Sequence, residues 1–402
     1  MTTLELIIIP CLAVSIAAVG LWLVTMIRVR RCVDASISMR EGVGLPEPPG
    51  GWPSVSVVIP AHDEEDVIER CARGLLAQDY PNLEVVFALD RCTDRTEELL
   101  RKVVGDDPRF TIVTIDSCPD DWAGKCNAAA TGVRHAGGDQ LVFTDADTDF
   151  HPDLIRASVA LRLREDVDLL SVLSTLSMTR WDEWCAQPVA TLNLIRMHPL
   201  DQVNRRERPR AFANGQFMLF TSEMYHRLGG HEQVRDDLLE DIAFARAVRS
   251  NEGHAVIVNA DHMLNVSMYD SLKDFCEGWK RIFIEVARRR PRRLVGWGIR
   301  AFTGGVVAPL IQVLSIVVGI MLAMQGNVLA STLGIAPASA GLVLQAIALA
   351  WIYRLGQAPV SGIIGFPIGS AILTWVMFDG ARDLISGRPI RWGGRDYVLK
   401  SN

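Results

Sequence analysis

At 402 residues, with a formal charge of −6 and a pI near 5.8, the chain has room for two ordinary domains or for one domain plus membrane helices. It lacks the basic excess expected of a nucleic-acid binder. Hydrophobic residues reach 49% and mean hydropathy is +0.18, with the excess at the two ends, which is unusual for a wholly soluble enzyme. The eight cysteines stand singly, without Cys-x-x-Cys or zinc-like spacing, so they read as small core residues in a reducing compartment and not as a disulfide framework.

The first predicted element is an apolar run from Leu4 to Met26, uncharged except for Glu5 and long enough to cross a bilayer. No basic residue precedes it and it is too long for a signal-peptide core, which argues against cleavage. Arg28, Arg30 and Arg31 follow at once, so the positive-inside rule predicts that the next domain lies in the cytoplasm.

Pro48 to Pro53 is a linker, after which Val55–Pro60 reads as a buried strand. Strand-like runs recur at Leu83–Leu89, Phe110–Ile115 and Gln140–Thr144, with helical stretches Glu64–Ala77, Asp94–Val104 and Lys125–His135 between them. That alternation predicts an α/β fold: a Rossmann-like parallel sheet with helices on both faces. Ligands of such sheets bind beyond the carboxyl ends of the strands. Acidic residues follow all four: Asp63 and Glu64, Asp90, Asp116, then Asp145 and Asp147. The last pair sets two hard oxygen ligands side by side, which suits Mg²⁺ or Mn²⁺ with a substrate phosphate completing the shell. Taken alone, Asp-x-Asp is more often a solvated turn.

Further on, Glu240 and Asp241 precede the helical run Ile242–Arg249, where carboxylates also serve as simple helix caps. Trp279, Trp297 and the arginines from Arg281 to Arg293 predict a helix along the bilayer surface, with its basic side toward headgroups. Apolar stretches Ala301–Met324 and Ala338–Tyr353 come next, then Pro359–Phe378, which is broken by Gly362, Gly365, Pro367 and Gly369. Three full crossings would strand the final basic cluster (Arg382, Arg388, Arg391, Arg395) on the outer side, so the third stretch is expected to be re-entrant.

Several of these segments carry a family resemblance. Pro60-Ala61-His62-Asp63-Glu64, Asp90-Arg91-Cys92-Thr93-Asp94-Arg95-Thr96, Gly124-Lys125-Cys126-Asn127-Ala128 and Asp145-Ala146-Asp147 resemble the successive motifs of family-2 nucleotide-sugar glycosyltransferases. Asn214-Gly215-Gln216-Phe217, Leu228-Gly229-Gly230-His231 and Glu240-Asp241 resemble its later landmarks. The segment order and the tail from Arg391 to Tyr397 are similar to the lipid-modifying branch, which includes carotenoid, hopanoid-associated and ceramide glycosyltransferases. Departures are Asp63 in place of Asn, Arg91 in place of a small residue, and Glu277-Gly278-Trp279-Lys280-Arg281 where polysaccharide synthases carry Gln-x-x-Arg-Trp.

The resemblance implies a GT-A type catalytic domain with Asp241 as general base and Asp145 and Asp147 on a divalent ion. It implies Ala61, Glu64, Asp90, Lys125 and Asp145 on the nucleotide-sugar donor, and Glu240, Gly215, Gln216, Trp279 and Arg281 on the acceptor side. The expected organisation is an anchor over 1–31, a cytoplasmic glycosyltransferase domain over 52–265, interfacial helices over 266–300, membrane segments over 301–378 and a basic tail over 379–402. The expected activity is inverting transfer of a sugar to a membrane lipid hydroxyl, by a multi-pass protein of the cell membrane. Transfer to a polyprenyl phosphate and an inactive sugar-nucleotide sensor or scaffold are the alternatives. The missing Arg-Trp motif and the few membrane segments disfavour a polysaccharide synthase.

Overall fold

A computed structural model describes residues 3–207, 209–392 and 395–399. Its main sheet has the order β1-β10-β7-β9-β5-β2-β3-β4. These strands are β1 (Ile37–Ser38), β2 (Val55–Ala61), β3 (Leu83–Asp90), β4 (Phe110–Ile115), β5 (Gln140–Thr144), β7 (Leu169–Leu173), β9 (Phe217–Thr221) and β10 (Ala255–Asn259). A smaller sheet joins β6 (Thr148–Phe150), β11 (Leu264–Val266) and β8 (Thr175–Leu176), and β12 (Ile390–Trp392) pairs with β13 (Arg395–Tyr397).

Strands β2, β3, β4 and β5 run parallel, as their near-continuous apolar sequences predict for strands covered on both faces. Alternate residues serve opposite cores. Val57, Ile59 and Phe87 pack with Ile68, Leu75 and Leu154 on one side, and Val58 and Phe143 pack with Phe220 and Phe244 on the other. Each fully buried side chain of this size contributes roughly 1.5–3 kcal/mol. The edge strand β4 has no fully buried position, and its two threonines, Thr111 and Thr114, are exposed.

The sheet differs from a purely parallel one at a single strand. β9 lies antiparallel between β5 and β7, with Thr144 opposite Phe217. This reversal has a consequence for the site, because it brings the amino end of β9, and with it Gly215 and Gln216, to the edge where the parallel strands end. Register places Ala61 beside Leu89 and Val58 beside Phe143, so Ala61, Asp90 and Asp145 emerge along that same edge.

Among the described residues, four helical segments are long and apolar enough to cross a membrane: Thr3–Asp34, Pro291–Met324, Val328–Leu355 and Val360–Ser386. The first packs against Ala308–Met324 and Val328–Leu355, which also pack on each other. The Phe366–Ser386 helix behaves differently. Its main contacts are with the Pro291–Phe302 helix and with the Trp181–Met197 and Leu272–Val286 helices at the foot of the α/β domain. Lys280 fixes it there through Asp379 (2.9 Å) and Asp383 (2.7 Å). No disulfide is formed among the described residues, and five of the eight cysteines are buried.

Candidate active site

The carboxyl edge of the sheet opens into a crevice of about 490 Å³ lined by Ala61, Glu64, Asp90, Lys125, Asp145, Asp147, Gln216 and Arg281, among others. Eight of the twelve residues singled out in the sequence therefore meet in one place. Glu240, Asp241 and Gly215 adjoin it through hydrogen bonds and ion pairs. Trp279 does not: it is 3% exposed between Phe275 and Phe283, and its Nε1 donates to Gln187 Oε1 at 3.2 Å. Phe275, Trp279 and Phe283 share the buried face of an amphipathic helix, while Arg281 turns toward the crevice.

Lys125 organises the centre. It sits in the first turn of the Gly124–Val133 helix and reaches Asp145 Oδ1 at 2.6 Å and Glu240 Oε1 at 2.7 Å. One ammonium thus joins the Asp-x-Asp end of β5 to the acidic pair that opens the Glu240–Ser250 helix. Burial opposes its charge, but the two carboxylates prevail and hold Lys125 above the usual lysine range. Burial likewise disfavours charge on Glu240, and Lys125 holds its carboxyl below the usual range.

Asp241 is fixed at both oxygens: Gly215 N–H donates to Oδ2 (2.9 Å) and Ile242 N–H to Oδ1 (2.7 Å). Burial, and then the neighbouring Glu240 charge, push its pKa up to about 7. Gly215 is where these groups converge. A Cβ there would lie 3.3 Å from Glu240 Oε1, 3.3 Å from Lys125 Nζ and 3.4 Å from Asp241 Oδ2. Gln216 is positioned by its backbone, whose carbonyl accepts from Thr144 Oγ1 at 2.7 Å, and by its side chain, which bonds to Ser174 and Asn214.

At the other end, Asp147 is pushed up to about 7 by burial and then by Asp145, and Glu64 to about 8 by burial and then by Asp147 and Asp145. Asp147 Oδ1 is buried and has no hydrogen-bond partner among the described residues. Several carboxylates here oppose one another's ionisation, and one has an oxygen left over.

Asp90 is in the crevice wall but is already held by its neighbour. Arg91 grips it through Nε–Oδ1 (2.9 Å) and Nη2–Oδ2 (2.6 Å), with Arg91 itself at φ 52°. Gly124 passes over this pair so closely that a Cβ would stand 3.1 Å from both Arg91 Nη2 and Asp90 Oδ2. The Asp63 substitution also has a role. At φ 53° it accepts from Thr93 N–H at 2.6 Å, tying the β2 loop to the β3 loop. Tyr269, Glu277 and Tyr397 line the crevice too. Of these, Tyr397 ends the tail segment that returns here on β13 and Glu277 opens the stretch that replaces Gln-x-x-Arg-Trp, so both lay in segments marked in the sequence, whereas Tyr269 carried no signal.

Residues 56–228 match Glycosyl transferase family 2. A 4,4'-diaponeurosporenoate glycosyltransferase of Staphylococcus aureus (strain bovine RF122 / ET3-1) is 25% identical over 232 residues, which is 57% of this chain and 60% of that protein. The counterpart from strain MRSA252 aligns with the same identity and coverage, so the chain spans 60% of the length of these relatives. In structure, the chain is similar to the mannosyltransferase PcManGT from Pyrobaculum calidifontis, solved in complex with GDP-Man and Mn²⁺. The TM-score is 0.51 at 20% identity, covering 94% of this chain and 99% of that one, a likeness of fold.

Proposed function

We propose, from the match of residues 56–228 to Glycosyl transferase family 2, that the chain transfers one sugar, with inversion, from a nucleotide-diphosphate donor to a membrane lipid hydroxyl at the cytoplasmic leaflet. The observation that carries this reading is the Lys125 bridge. It joins an acidic strand end suited to a donor diphosphate to a fixed carboxylate suited to an acceptor hydroxyl.

The donor end fits a divalent cation. Asp147 has a buried, unpartnered oxygen, and after burial it is the neighbouring carboxylates that push pKa values up here, Asp145 acting on Asp147 and both acting on Glu64, as anions do when a positive charge between them is lacking. Asp147, with the Asp145 oxygen that Lys125 does not occupy, would hold Mg²⁺ or Mn²⁺. Such an ion, when bound, neutralises charge on the diphosphate. Mn²⁺ is present in the PcManGT complex.

At the acceptor end Asp241 takes the proton from the lipid hydroxyl. Two backbone N–H groups fix its orientation, and a pKa near 7 matches a base that works at neutral pH. Lys125 offsets the charge of Glu240, so Asp241 can ionise beside it. A base on the face opposite the departing diphosphate gives a single displacement, hence inversion. Asp90, Ala61 and Glu64 line the wall that would receive the nucleotide, with Arg91 holding Asp90 in place.

The membrane arrangement supports the acceptor class. Crossings by Thr3–Asp34, Pro291–Met324 and Val328–Leu355 bring the chain back to the side of the α/β domain, with Arg28, Arg292 and Arg354 all facing the cytoplasm. The Phe366–Ser386 helix then stays on that side, packed under the catalytic domain and anchored by Lys280, so the Arg382 and Arg388 cluster also obeys the positive-inside rule. Mass spectrometry of lipids from cells with and without the protein tests the proposal. A glycolipid that appears only with the protein is the expected result, and one that persists with Asp241→Asn would refute the assigned base.

A further inference from the structure

A second cavity, of about 1360 Å³, shares no lining residue with the crevice. It lies between the Thr3–Asp34 helix, the Trp181–Met197 helix and the Pro291–Phe302 helix, extending along the Thr303–Val307 π-helical turn. We propose that this cavity binds an amphiphile with a phosphate or carboxylate head and a hydrocarbon tail.

The walls grade from apolar to cationic. Along the Thr3–Asp34 helix the lining runs from Ala17, Gly20 and Trp22 to Arg28, eleven residues or about 16 Å of rise. Eight arginines line the cavity as a whole, and no Asp or Glu is among the described lining residues. Elsewhere, Arg73, Arg101, Arg109 and Arg180 each grip a carboxylate at 3.1 Å or less.

Arg196 shows the imbalance most clearly. Its Nη2 donates to Thr25 Oγ1 at 3.0 Å, and no carboxylate lies within ion-pair reach among the described residues. Burial, and then repulsion from Arg28 and Arg300, lower its pKa to about 10. A guanidinium held against two others in a partly dry site needs an anion, and its planar fork suits phosphate or carboxylate. Nearby, His198 stacks on Phe212 with its Nδ1 buried and unpartnered among the described residues, a further polar atom for the head. The volume exceeds the roughly 300–1,000 Å³ of ordinary ligand pockets, leaving room for a head and the upper part of a tail. Arg246 in the wall stands about 8 Å of helix rise from Asp241 on the same helix, so the anion could come from the acceptor or from a bulk phospholipid.

The test reads binding and so stands or falls separately from the transfer reaction. The full chain is purified in neutral detergent, and native mass spectrometry follows its retention of phosphatidylglycerol and of phosphatidylcholine with the same acyl chains. A long-chain fatty acid and its methyl ester form the second probe pair. Preference for each anionic probe by tenfold or more is expected, and the double variant Arg28→Gln/Arg196→Gln should remove it. Binding of a nucleoside diphosphate reports that the variant is folded. Gly20→Phe supplies an independent variant: a Cβ at Gly20 meets nothing within 4 Å, so the ring fills the tail end while every arginine remains. It should also cut retention of the anionic lipids. The lipid that co-purifies with the wild type identifies the source, since a bulk phospholipid survives addition of donor sugar and an acceptor is converted. Equal retention of anionic and zwitterionic probes, or retention unchanged in both variants, would overturn the proposal.

Discussion

The crevice and the arginine cavity are electrostatic opposites built from the same kind of material. In the crevice, Glu64, Asp145, Asp147, Glu240 and Asp241 crowd around one lysine, and three of the carboxyls are pushed to between about 7 and about 8. In the cavity, eight arginines line a space with no carboxylate among its described walls. Neither region is charge-balanced, although the surface pairs elsewhere are. Charge left uncompensated in a partly dry site is costly unless a ligand supplies its partner. The sign of each imbalance therefore indicates the ligand: a cation with a diphosphate in the crevice, an anionic head in the cavity.

The largest expected effect comes from breaking the crevice at its unpartnered oxygen. Chelation with EDTA should reduce transfer below detection, and Mn²⁺ or Mg²⁺ should restore it. Asp147→Asn should resist that restoration, because it removes one of the charges the ion answers. Full activity in chelator, with no metal in the purified protein, would show that Lys125 and the arginines suffice. Next is Asp241→Asn, which should lower turnover by ~10²–10⁴-fold, the usual contribution of a general base. Donor affinity should survive, since Asp241 lies on the far side of the Lys125 bridge. A fall in donor affinity with turnover intact would make it a binding residue.

A pH profile sharpens the same comparison within the crevice. Asp241 must be ionised to act, so turnover at saturating metal and donor should rise with pH through about 7. Glu240 raises that pKa and Lys125 lowers it. Glu240→Gln leaves Lys125 without its counter-charge there, so the acid limb should move to lower pH. A limb that stays in place would mean that another group controls it.

How far the sequence foretold this arrangement depends on the distance over which each feature is encoded. The four parallel strands were legible because burial on both faces forces continuous apolar runs. The antiparallel β9 was not, since four apolar residues and a threonine carry no sign of direction. The helix expected from Glu64 begins only at Ile68. Glu64 N–H donates instead to Thr96 Oγ1 and Glu65 N–H to Asp94 Oδ2, so loop-to-loop bonds replace the first helical turn. Among site residues, Asp145 with Asp147 and Glu240 with Asp241 are neighbours in sequence and stood out. The Lys125 bridge joins residues 20 and 115 positions away and has no local signature. Trp279 was legible in principle, because Phe275, Trp279 and Phe283 recur every four residues and mark a buried face.

The smallest expected effect concerns the turn that links the cavity to the bilayer surface. Arg288 and Arg289 both adopt φ 55°, where a non-glycine residue is strained, and Arg290 leads into the Pro291–Phe302 helix. Arg288 lines the cavity, Arg290 is exposed, and Arg289 pairs with Glu285 at 2.9 Å. Headgroup attraction should therefore rest more on Arg290 than on Arg289. Replacing all three by Gln should slow transfer a few-fold on anionic vesicles at low salt. The difference should fade as ionic strength approaches ~0.1 M, where the screening length is about 10 Å. On neutral vesicles the variant and the wild type should converge at every salt concentration, because the membrane helices remain to hold the domain in place. If the variant is equally impaired on neutral vesicles, these arginines act on the fold or on the cavity and not on the bilayer.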